Sequence, residues 1–591
     1  MPHEHSDTDP ISRLEPEVQK RVLDWLNGSY DEESKNQVRT LLKNDLKTLN
    51  DAFYTDLSFG TGGLRGLMGV GSNRMNNYTV RKATQGLAQY LLKTGPGKKS
   101  VFISYDSRHN SPSFATDAAR VLAANGIQVY LTKDIRPTPF VSFGCRYKHC
   151  NAAVMITASH NPAEYNGYKV YWEDGGQVVP PHDIGIINEV EEIHSLDQVK
   201  LTKANDPLIQ IVDETIDKAY IDAIRPLRLH ATEDAQHGNE LKIAYTSLHG
   251  TGITLAPPAL KDWGFSNLTF VEKQIIPDGD FPTVKSPNPE YKETLQLGIE
   301  HLLKTGADLL IATDPDADRL GVVVLHRGKP EILTGNEIAA ICIYHICQTL
   351  TEQNKMPENG AFVTTIVSSD LLKAIAESFH KACFEVLTGF KYIAEKIRLW
   401  ETSGACRFLF GAEESYGYLF GTVARDKDAI ISACLVAECA LKAKMQHLTL
   451  IDILHQIYRK YGVYREKQLS MTCPGLEGLK QINTFMVNLR KQLPKNFAGK
   501  KVLSIEDYES GIKQSLKSGK TEKLTLPKSD VLLFRLEDDS KLIVRPSGTE
   551  PKIKIYAGVK RAQFDSIEQG ISECEQRLDT LLAAVKTILE S

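Results

Sequence analysis

The chain has 591 residues, of which 42% are hydrophobic and 24% are charged, as is typical of a globular protein. Its 70 lysine and arginine residues against 74 aspartate and glutamate residues give a formal charge of −4, which excludes a strongly basic nucleic-acid-binding protein. No apolar run is long enough to span a membrane, and ten cysteines without a C-x-x-C pair favour free thiols in a reducing compartment. We therefore expect a cytoplasmic protein of about four domains, with no nucleic-acid or membrane partner.

Residues 1–50 are predicted to form a helical extension, and from about residue 99 strands and helices alternate in three rounds. The predicted strands are 101–105, 127–131, 152–156, 243–245, 268–271, 309–312, 363–367, 384–387 and 408–410. The predicted helices are 111–124, 139–147, 254–263, 290–304, 370–381 and 392–400. This alternation is typical of parallel βαβ units. Beyond about residue 466, alternating segments at 531–536, 541–544 and 553–557 predict antiparallel strands, and a helix is expected over 564–589.

Each round ends with a strand that leads into a polar loop: Thr157–Pro162, Thr313–Arg319 and Gly411–Ser415. Open α/β sheets bind ligands at the carboxyl ends of their strands. The predicted fold class is therefore α/β, with three similar mixed α/β domains that share a central cleft and a C-terminal α+β domain. The predicted boundaries are 1–50, 51–230, 231–345, 346–465 and 466–591, and the polar segment 231–240 is interpreted as a linker.

Asp314, Asp316 and Asp318 alternate along the second loop. This spacing directs three carboxylates toward one point if the backbone is extended, and such a cluster needs a hard divalent cation. The segment is not an EF-hand, because Arg319 occupies the position where that loop has its glycine. The alternative is an acidic loop capped by Arg319.

Four further segments carry weaker signals. Ser159 lies on a turn after a strand, as a nucleophile does, although no G-x-S-x-G surrounds it and an incidental turn serine is the alternative. The segment Arg545–Lys552 suits a phosphate, or is an ordinary turn between two strands. Gly60–Gly66 fits neither nucleotide-binding pattern, and we interpret it as a mobile loop that delivers Arg65 to an anion. Glu413 and Ser415 resemble a pair that binds sugar hydroxyls.

The four motifs T-A-S-H-N-P, D-P-D-A-D-R, G-A-E-E-S-Y-G and R-P-S-G-T-E-P occur in this order along the chain. Together they resemble the α-D-phosphohexomutase superfamily, in its long phosphoglucomutase/phosphomannomutase type, from about residue 50 onward. The family's common Gly-Glu-x-Ser reads Ala412-Glu413-Glu414-Ser415 here, so the side chains are kept but the turn differs.

The resemblance implies roles at the matching positions. Ser159 would carry the transferable phosphoryl group, and its phosphate would join Asp314, Asp316 and Asp318 in holding Mg²⁺. The other implied catalytic residues are Lys169, His160, Arg65 and Arg319. The implied substrate-binding residues are Glu413, Ser415, Lys391, Lys427, Arg545, Ser547, Gly548 and Thr549.

The activity implied by the resemblance is that of an intramolecular phosphotransferase. It would interconvert glucose 1-phosphate and glucose 6-phosphate, with glucose 1,6-bisphosphate as intermediate and activator. Mannose and pentose phosphates are alternative substrates within the family. A phosphosugar hydrolase and a non-enzymatic sugar-phosphate sensor are alternatives from other classes. We expect a monomer or a small homo-oligomer.

Overall fold

A computed structural model describes residues 10–60, 62–472, 475–546 and 552–590. The chain divides into two compact units, which are described separately. The first comprises Met1–Ile332 and Gly417–Glu438, and the second comprises Leu333–Tyr416 and Cys439–Ser591. Among the described helices, none is both long and apolar enough to cross a membrane.

The first unit opens with three helices, α1 (Pro16–Asn27), α2 (Glu32–Asn44) and α3 (Leu46–Phe53). The Asp31 and Asp45 side chains cap α2 and α3 by accepting main-chain N–H groups, as short polar residues do at helix starts. These helices pack around their own apolar core, which includes the buried Trp25 and Phe53.

A six-stranded mixed sheet follows, in the order β1-β5-β4-β2-β3-β6. Its strands are β1 (Gly63–Leu67), β2 (Ser100–Tyr105), β3 (Gln128–Thr132), β4 (Ala152–Ile156), β5 (Tyr165–Trp172) and β6 (Ile209–Val212). The helices of this region are α4 (Asn77–Lys93), α5 (Ser111–Ala124), α6 (Thr138–Tyr147), α7 (His182–Glu191) and α8 (Thr215–Ile224). Strands β4, β2, β3 and β6 run parallel, whereas β5 is antiparallel to both β4 and β1. The loops after β2 and β4 therefore leave the same edge of the sheet.

The second sheet of this unit has the order β11-β10-β9-β7-β8. Its strands are β7 (Ile243–Thr246), β8 (Leu268–Phe270), β9 (Leu309–Thr313), β10 (Leu320–His326) and β11 (Lys329–Leu333). Its helices are α9 (Ala231–His237), α10 (Ala256–Trp263) and α11 (Gln296–Thr305). The interpretation of 231–240 as a linker was wrong, because these residues form α9 and a short 3₁₀ turn. Its polar Asp234 is fully buried rather than solvated.

The second unit begins with α12 (Gly335–Glu352) and a parallel arrangement in the order β13-β12-β14. The elements are β12 (Gly360–Thr365), α13 (Asp370–Ser378), β13 (Ala382–Val386), α14 (Phe390–Ser403) and β14 (Arg407–Glu413). Strand β15 (Gly417–Phe420) and the first part of α15 (Ala429–Lys444) come next along the chain and belong to the first unit, and α16 (Leu450–Tyr461) belongs to the second.

The C-terminal part is an antiparallel sheet in the order β16-β23-β22-β21-β18-β19-β20, and a short β17 pairs with β18. The strands are β16 (Val463–Thr472), β17 (Asn496–Phe497), β18 (Lys500–Asp507), β19 (Ile512–Ser515), β20 (Thr521–Lys523), β21 (Leu532–Leu536), β22 (Lys541–Pro546) and β23 (Lys552–Arg561). Two helices, α17 (Gly475–Lys491) and α18 (Ile567–Glu590), complete it. Ile543 and Tyr556 of this sheet share an apolar cluster with Ile366 and Leu387.

The predicted fold class is confirmed, since three α/β arrangements precede a β-rich C-terminal region. The helix predicted over 111–124 and the strand predicted over 152–156 have the predicted bounds. The helix predicted from residue 290 instead begins at Gln296. The domain boundaries and the shared cleft stay predictions.

Candidate active site

Ser159 lies in the loop that follows β4, with its backbone in the left-handed region at φ 51°. It is only 3% exposed. Its Oγ donates a hydrogen bond to Asp314 Oδ2 at 2.9 Å, and it lies 3.1 Å from His160 Nδ1. The hydroxyl predicted as nucleophile and the acidic loop predicted to hold a metal are therefore in direct contact.

The acidic loop follows β9 and brings its three carboxylates together. One oxygen each of Asp314, Asp316 and Asp318 lies within 4.8 Å of the others, and all three residues are buried. The N–H groups of Asp318 and Arg319 donate to Asp314 Oδ1 at 3.1 and 2.9 Å, which folds the loop around that carboxylate. Gly250 packs against the same loop, because a Cβ there would lie 2.2 Å from Pro315 Cα.

The carboxylates fit a divalent metal ion. Asp316 Oδ1 and Asp318 Oδ1 are buried and accept no hydrogen bond from any described residue. A buried carboxylate oxygen without a donor is costly unless a cation satisfies it. Oxygen ligands from three carboxylates are the donor set that Mg²⁺ and similar hard cations prefer. The residues present thus suit the metal that the sequence predicted.

Two lysines lie on the acidic cluster. Lys169 of β5 places its Nζ 2.8 Å from Asp316 and 3.1 Å from Asp318, and Lys427 Nζ lies 3.0 Å from Asp318. Although burial opposes the effect, the two carboxylates raise the pKa of Lys169. Burial raises the pKa of Asp314 well above its usual range, and the neighbouring carboxylates add to this. Burial also acts to raise the pKa of Asp318, but Lys427 and Lys169 outweigh it and hold that pKa below its ordinary value.

Burial lowers the pKa of the His160 imidazole well below its ordinary value, and Arg319 and Arg65 add to this effect. Arg319 forms an ion pair with Glu290, a residue that the sequence did not single out. Arg65 Nη1 donates to Asn161 Oδ1 at 3.3 Å, in the same loop as Ser159. Arg65 therefore contacts the loop that carries Ser159 and His160, and Arg319 acts electrostatically on His160 in the same loop.

The interpretation of Gly60–Gly66 as a loop was wrong for its second half, because Gly63–Leu67 form strand β1. Arg65 lies in strand β1, opposite Gly167 of β5. Gly63 allows this pairing: its φ is +139°, and a Cβ there would lie 1.7 Å from the Tyr168 carbonyl oxygen. Gly63 thus permits the close strand contact that places Arg65 in the sheet.

The second unit contains the remaining implied residues. Glu413 at the end of β14 is buried, and its Oε1 accepts the Gly389 N–H at 2.9 Å. Lys391 lies in the first turn of α14, with Nζ 5.2 Å from the centroid of the Tyr392 ring. Ser415 follows β14 and is half-buried.

Arg545 lies in β22, opposite Lys554 of β23. Ser547, Gly548 and Thr549 are outside the described residues, so Arg545 is the one described member of the predicted phosphate-binding set. Burial raises the pKa of Tyr556 on β23, Glu414 and Glu413 add to this, and Arg545 opposes it. The glutamates of the third motif and the arginine of the fourth thus act on one tyrosine within this unit.

Sequence reasoning missed several residues around Ser159. Thr138 at the start of α6 donates from Oγ1 to Asp316 Oδ2 at 2.7 Å. Asp106 and Arg108 follow β2 and contact the Ser159 loop. The signal was available, because both follow a parallel strand as the three chosen loops do, but D-S-R is an unremarkable polar triplet without its neighbours.

Comparisons with known proteins agree with this geometry. Three models of the phosphoglucomutase/phosphomannomutase α/β/α domains, I, II and III, match residues 56–197, 218–328 and 334–461. A phosphoglucomutase of Staphylococcus haemolyticus is 38% identical over 525 residues, which are 88% of this chain and 93% of that protein. The chain belongs to the phosphoglucomutase/phosphomannomutase family. It is accordingly an enzyme of the phosphohexomutase class.

Other relatives and structures extend the comparison. A phosphoglucomutase of Staphylococcus epidermidis strain RP62A is 39% identical over 529 residues, again 88% of this chain and 94% of that protein. The structure of Paramecium parafusin, a phosphoglucomutase in an open form, has a TM-score of 0.66 at 20% identity and covers 91% of this chain and 95% of its own. A Burkholderia thailandensis protein of the phosphoglucomutase/phosphomannomutase family has a TM-score of 0.63 at 18% identity, covering 90% and 98%. At these identities the structures support the fold.

Proposed function

We propose that this enzyme interconverts glucose 1-phosphate and glucose 6-phosphate through a phosphoserine at Ser159. The observation that carries the proposal is the hydrogen bond from Ser159 Oγ to Asp314, within a cluster of three buried carboxylates. The choice of glucose is supported by relatives of 37 to 39% identity that are named phosphoglucomutases.

In the proposed reaction, the phosphoryl group leaves Ser159 Oγ for a free hydroxyl of the sugar phosphate. The P–Oγ bond breaks, a new P–O bond forms, and the product is glucose 1,6-bisphosphate. The bisphosphate then reorients and returns its other phosphoryl group to Ser159. Phosphoryl transfer depends mainly on in-line positioning and on stabilisation of charge, and a buried site with several cations offers both.

Asp314, Asp316 and Asp318 would hold the metal ion, proposed to be Mg²⁺. When bound, it would neutralise the charge that develops on the transferring phosphoryl oxygens. Arg65 and Arg319 are proposed to bind the same phosphoryl group. Lys169 is the candidate acid/base for the sugar hydroxyl, and its contacts with Asp316 and Asp318 place it at the carboxylate cluster.

The roles of the second unit are also proposals. The Glu413 carboxylate would accept hydrogen bonds from sugar hydroxyls, and the Ser415 hydroxyl could donate or accept them. Lys391 and Lys427 are also proposed to bind the sugar. Arg545, with Ser547, Gly548 and Thr549, would bind the phosphate that is not being transferred, because a guanidinium can donate two parallel hydrogen bonds to phosphate oxygens. A cytoplasmic location and a monomer or small homo-oligomer stay predictions.

The test combines intact-mass analysis with a coupled assay for glucose 6-phosphate. The wild-type protein should carry one labile phosphate, and Ser159→Ala should carry none and show no turnover. Ser113→Ala, at an exposed serine of α5, is the matched control and should behave as the wild type. Turnover of Ser159→Ala at the wild-type rate would exclude the phosphoserine route.

Substrate choice is tested separately. The values of kcat/KM for the 1-phosphates of glucose, mannose, ribose and N-acetylglucosamine should be measured with one preparation. The proposal expects the highest value for glucose 1-phosphate, and a higher value for mannose or ribose would reassign the substrate. Release of inorganic phosphate in place of the isomer would instead identify a hydrolase.

A further inference from the structure

The main-chain N–H and C=O groups of Ser159 are both connected by hydrogen bonds to one buried ion pair, Asp106–Arg108. We propose that Arg108, which binds the Ser159 carbonyl directly, and Asp106, which acts through Thr157, are with Thr157 positioning residues that hold Ser159 in the conformation needed for phosphoryl transfer. The inference rests on the proposed role of Ser159 and adds three residues to it. None of the three supplies a group to the phosphate, and each acts on the backbone that presents the hydroxyl.

Arg108 binds the carbonyl side of the Ser159 loop. Its Nη2 donates to the carbonyl oxygens of Ser159 and Asn161, each at 2.5 Å. Its Nη1 donates to those of Pro162 and Tyr165 at 2.7 and 3.0 Å. One guanidinium therefore satisfies four carbonyl groups over seven consecutive residues, which fixes the course of the whole turn.

Asp106 and Thr157 bind the amide side. The Ser159 N–H donates to Thr157 Oγ1 at 2.8 Å, and this hydroxyl donates onward to Asp106 Oδ2 at 2.6 Å. Asp106 Oδ2 also lies 3.3 Å from Arg108 Nε. The chain of contacts closes on itself: from the amide of Ser159 through Thr157, Asp106 and Arg108 to the carbonyl of the same serine.

This ring explains why Ser159 keeps a backbone conformation that a serine seldom adopts. A non-glycine residue with φ near +50° is strained, and it persists only where its surroundings determine it. Here the strained backbone directs Oγ to Asp314 Oδ2. Without the ring, the residue is expected to relax toward negative φ and turn its hydroxyl away from the carboxylates.

Packing keeps the guanidinium in place. The Arg108 side chain is fully buried, and its Cζ lies 4.9 Å from the centroid of the Phe281 ring. The Asp106 side chain is also fully buried, so neither partner can exchange the other for water. Main-chain hydrogen bonds of this kind restrict the loop more than an exposed ion pair does.

The primary test uses Thr157, because valine and serine separate its hydroxyl from its shape. Thr157→Val should lower kcat by about 30- to 100-fold, since misplacing a reacting group by about 1 Å costs about 10²-fold. KM for glucose 1-phosphate should change less than about threefold, because no substrate contact is removed. Thr157→Ser keeps the hydroxyl and should retain kcat within about threefold of the wild type.

Two further variants extend the test to the ion pair. Arg108→Lys keeps the charge but cannot make four hydrogen bonds, so its kcat should fall at least as far as that of Thr157→Val. The controls are Thr84→Val and Arg74→Lys. Thr84→Val removes buried hydrogen bonds and Arg74→Lys disturbs part-buried ones, in the same unit and without touching the Ser159 loop. The controls should lower the melting temperature and leave kcat within about threefold of the wild type.

A second readout is the rate at which glucose 1,6-bisphosphate phosphorylates the dephosphorylated protein, followed by intact mass. It should fall in parallel with kcat in Thr157→Val and Arg108→Lys. Wild-type kcat in Thr157→Val would overturn the inference, as would an equal loss of kcat in the controls or in Thr157→Ser. Absence of phosphate on Ser159 in the wild type would instead overturn the proposed function itself.

Discussion

Lys169 offers a quantitative test of the charge balance at the carboxylate cluster. Its ammonium lies between Asp316 and Asp318, at 2.8 and 3.1 Å, and the side chain is 11% exposed. Lys169→Met removes the positive charge and keeps most of the volume. Asp318 still contacts Lys427 after this change, whereas Asp316 loses its ion-pair partner and keeps the Thr138 hydroxyl.

The expected destabilisation follows from this difference. Removing one partner of a buried ion pair costs about 3–5 kcal/mol, because the other charge stays buried without compensation. Since Lys427 keeps compensating one carboxylate, we expect the lower end, about 3 kcal/mol. For a unit larger than about 250 residues, this corresponds to a fall of roughly 5 °C in its unfolding temperature. Lys93→Met is the control. Lys93 forms an ion pair with Glu189, but its side chain is 67% exposed, and loss of such an exposed pair costs about 0–1 kcal/mol.

The assay is calorimetric unfolding of the wild type and both variants, first with EDTA and then with Mg²⁺. A divalent cation on the triad supplies positive charge that Lys169 no longer provides. We therefore expect Mg²⁺ to raise the unfolding temperature of Lys169→Met more than that of the wild type. The reasoning is refuted if Lys169→Met unfolds in EDTA within 1 °C of Lys93→Met, because the buried carboxylates would then not depend on this lysine.

Three further predictions concern the metal, the pH dependence and the second anion site. Asp316→Ala should lower kcat by about 100-fold or more, and chelation should stop the wild type until Mg²⁺ is added; full activity after elemental analysis shows no metal would contradict this. Burial, aided by Lys442, lowers the pKa of His345 from 6.5 to about 4, so the folded state binds fewer protons than the unfolded state as pH falls through this window. This histidine should therefore contribute about 2–3 kcal/mol to the drop in the free energy of unfolding between pH 7.5 and 4.5, measured with urea, and His345→Gln should lose that contribution. Arg545→Ala removes charge-assisted hydrogen bonds worth about 1.5–3 kcal/mol, so KM should rise about 10- to 150-fold and turnover should need added glucose 1,6-bisphosphate; unchanged values of both would mean an ordinary turn.

The parts of the site that sequence predicted are those whose chemistry lies within a few residues. The alternating aspartates from Asp314 to Asp318 follow a strand directly, and their spacing alone indicated converging carboxylates. The helix over Ser111–Ala124 was predictable because its apolar residues recur at helical spacing. In both cases the local pattern and the final fold agree, so no long-range information was needed.

The predictions that failed concern segments whose structure depends on contacts with residues distant in sequence. Gly63 looks like a loop residue in sequence, and only its close approach to Tyr168, more than 100 residues later, shows that it belongs to a strand. Segment 231–240 is polar, yet Asp234 is buried in a helix next to His230, whose N–H donates to Glu438. Composition predicts solvent exposure there, and tertiary contacts override it.

The centre is assembled from two sets of interactions with different chemistry. Charge holds the carboxylate loop, where Lys169 lies on Asp316 and Asp318. Directed hydrogen bonds to the main chain hold the serine loop, where Arg108 donates to four carbonyl groups. The Ser159 Oγ to Asp314 hydrogen bond joins the two. Because the sets have different partners, variants of the first should change metal affinity, and with it stability and kcat, whereas variants of the second should change kcat at nearly constant metal affinity. If variants of the serine loop instead changed metal affinity as strongly as variants of the carboxylate loop do, the two loops would not be held independently.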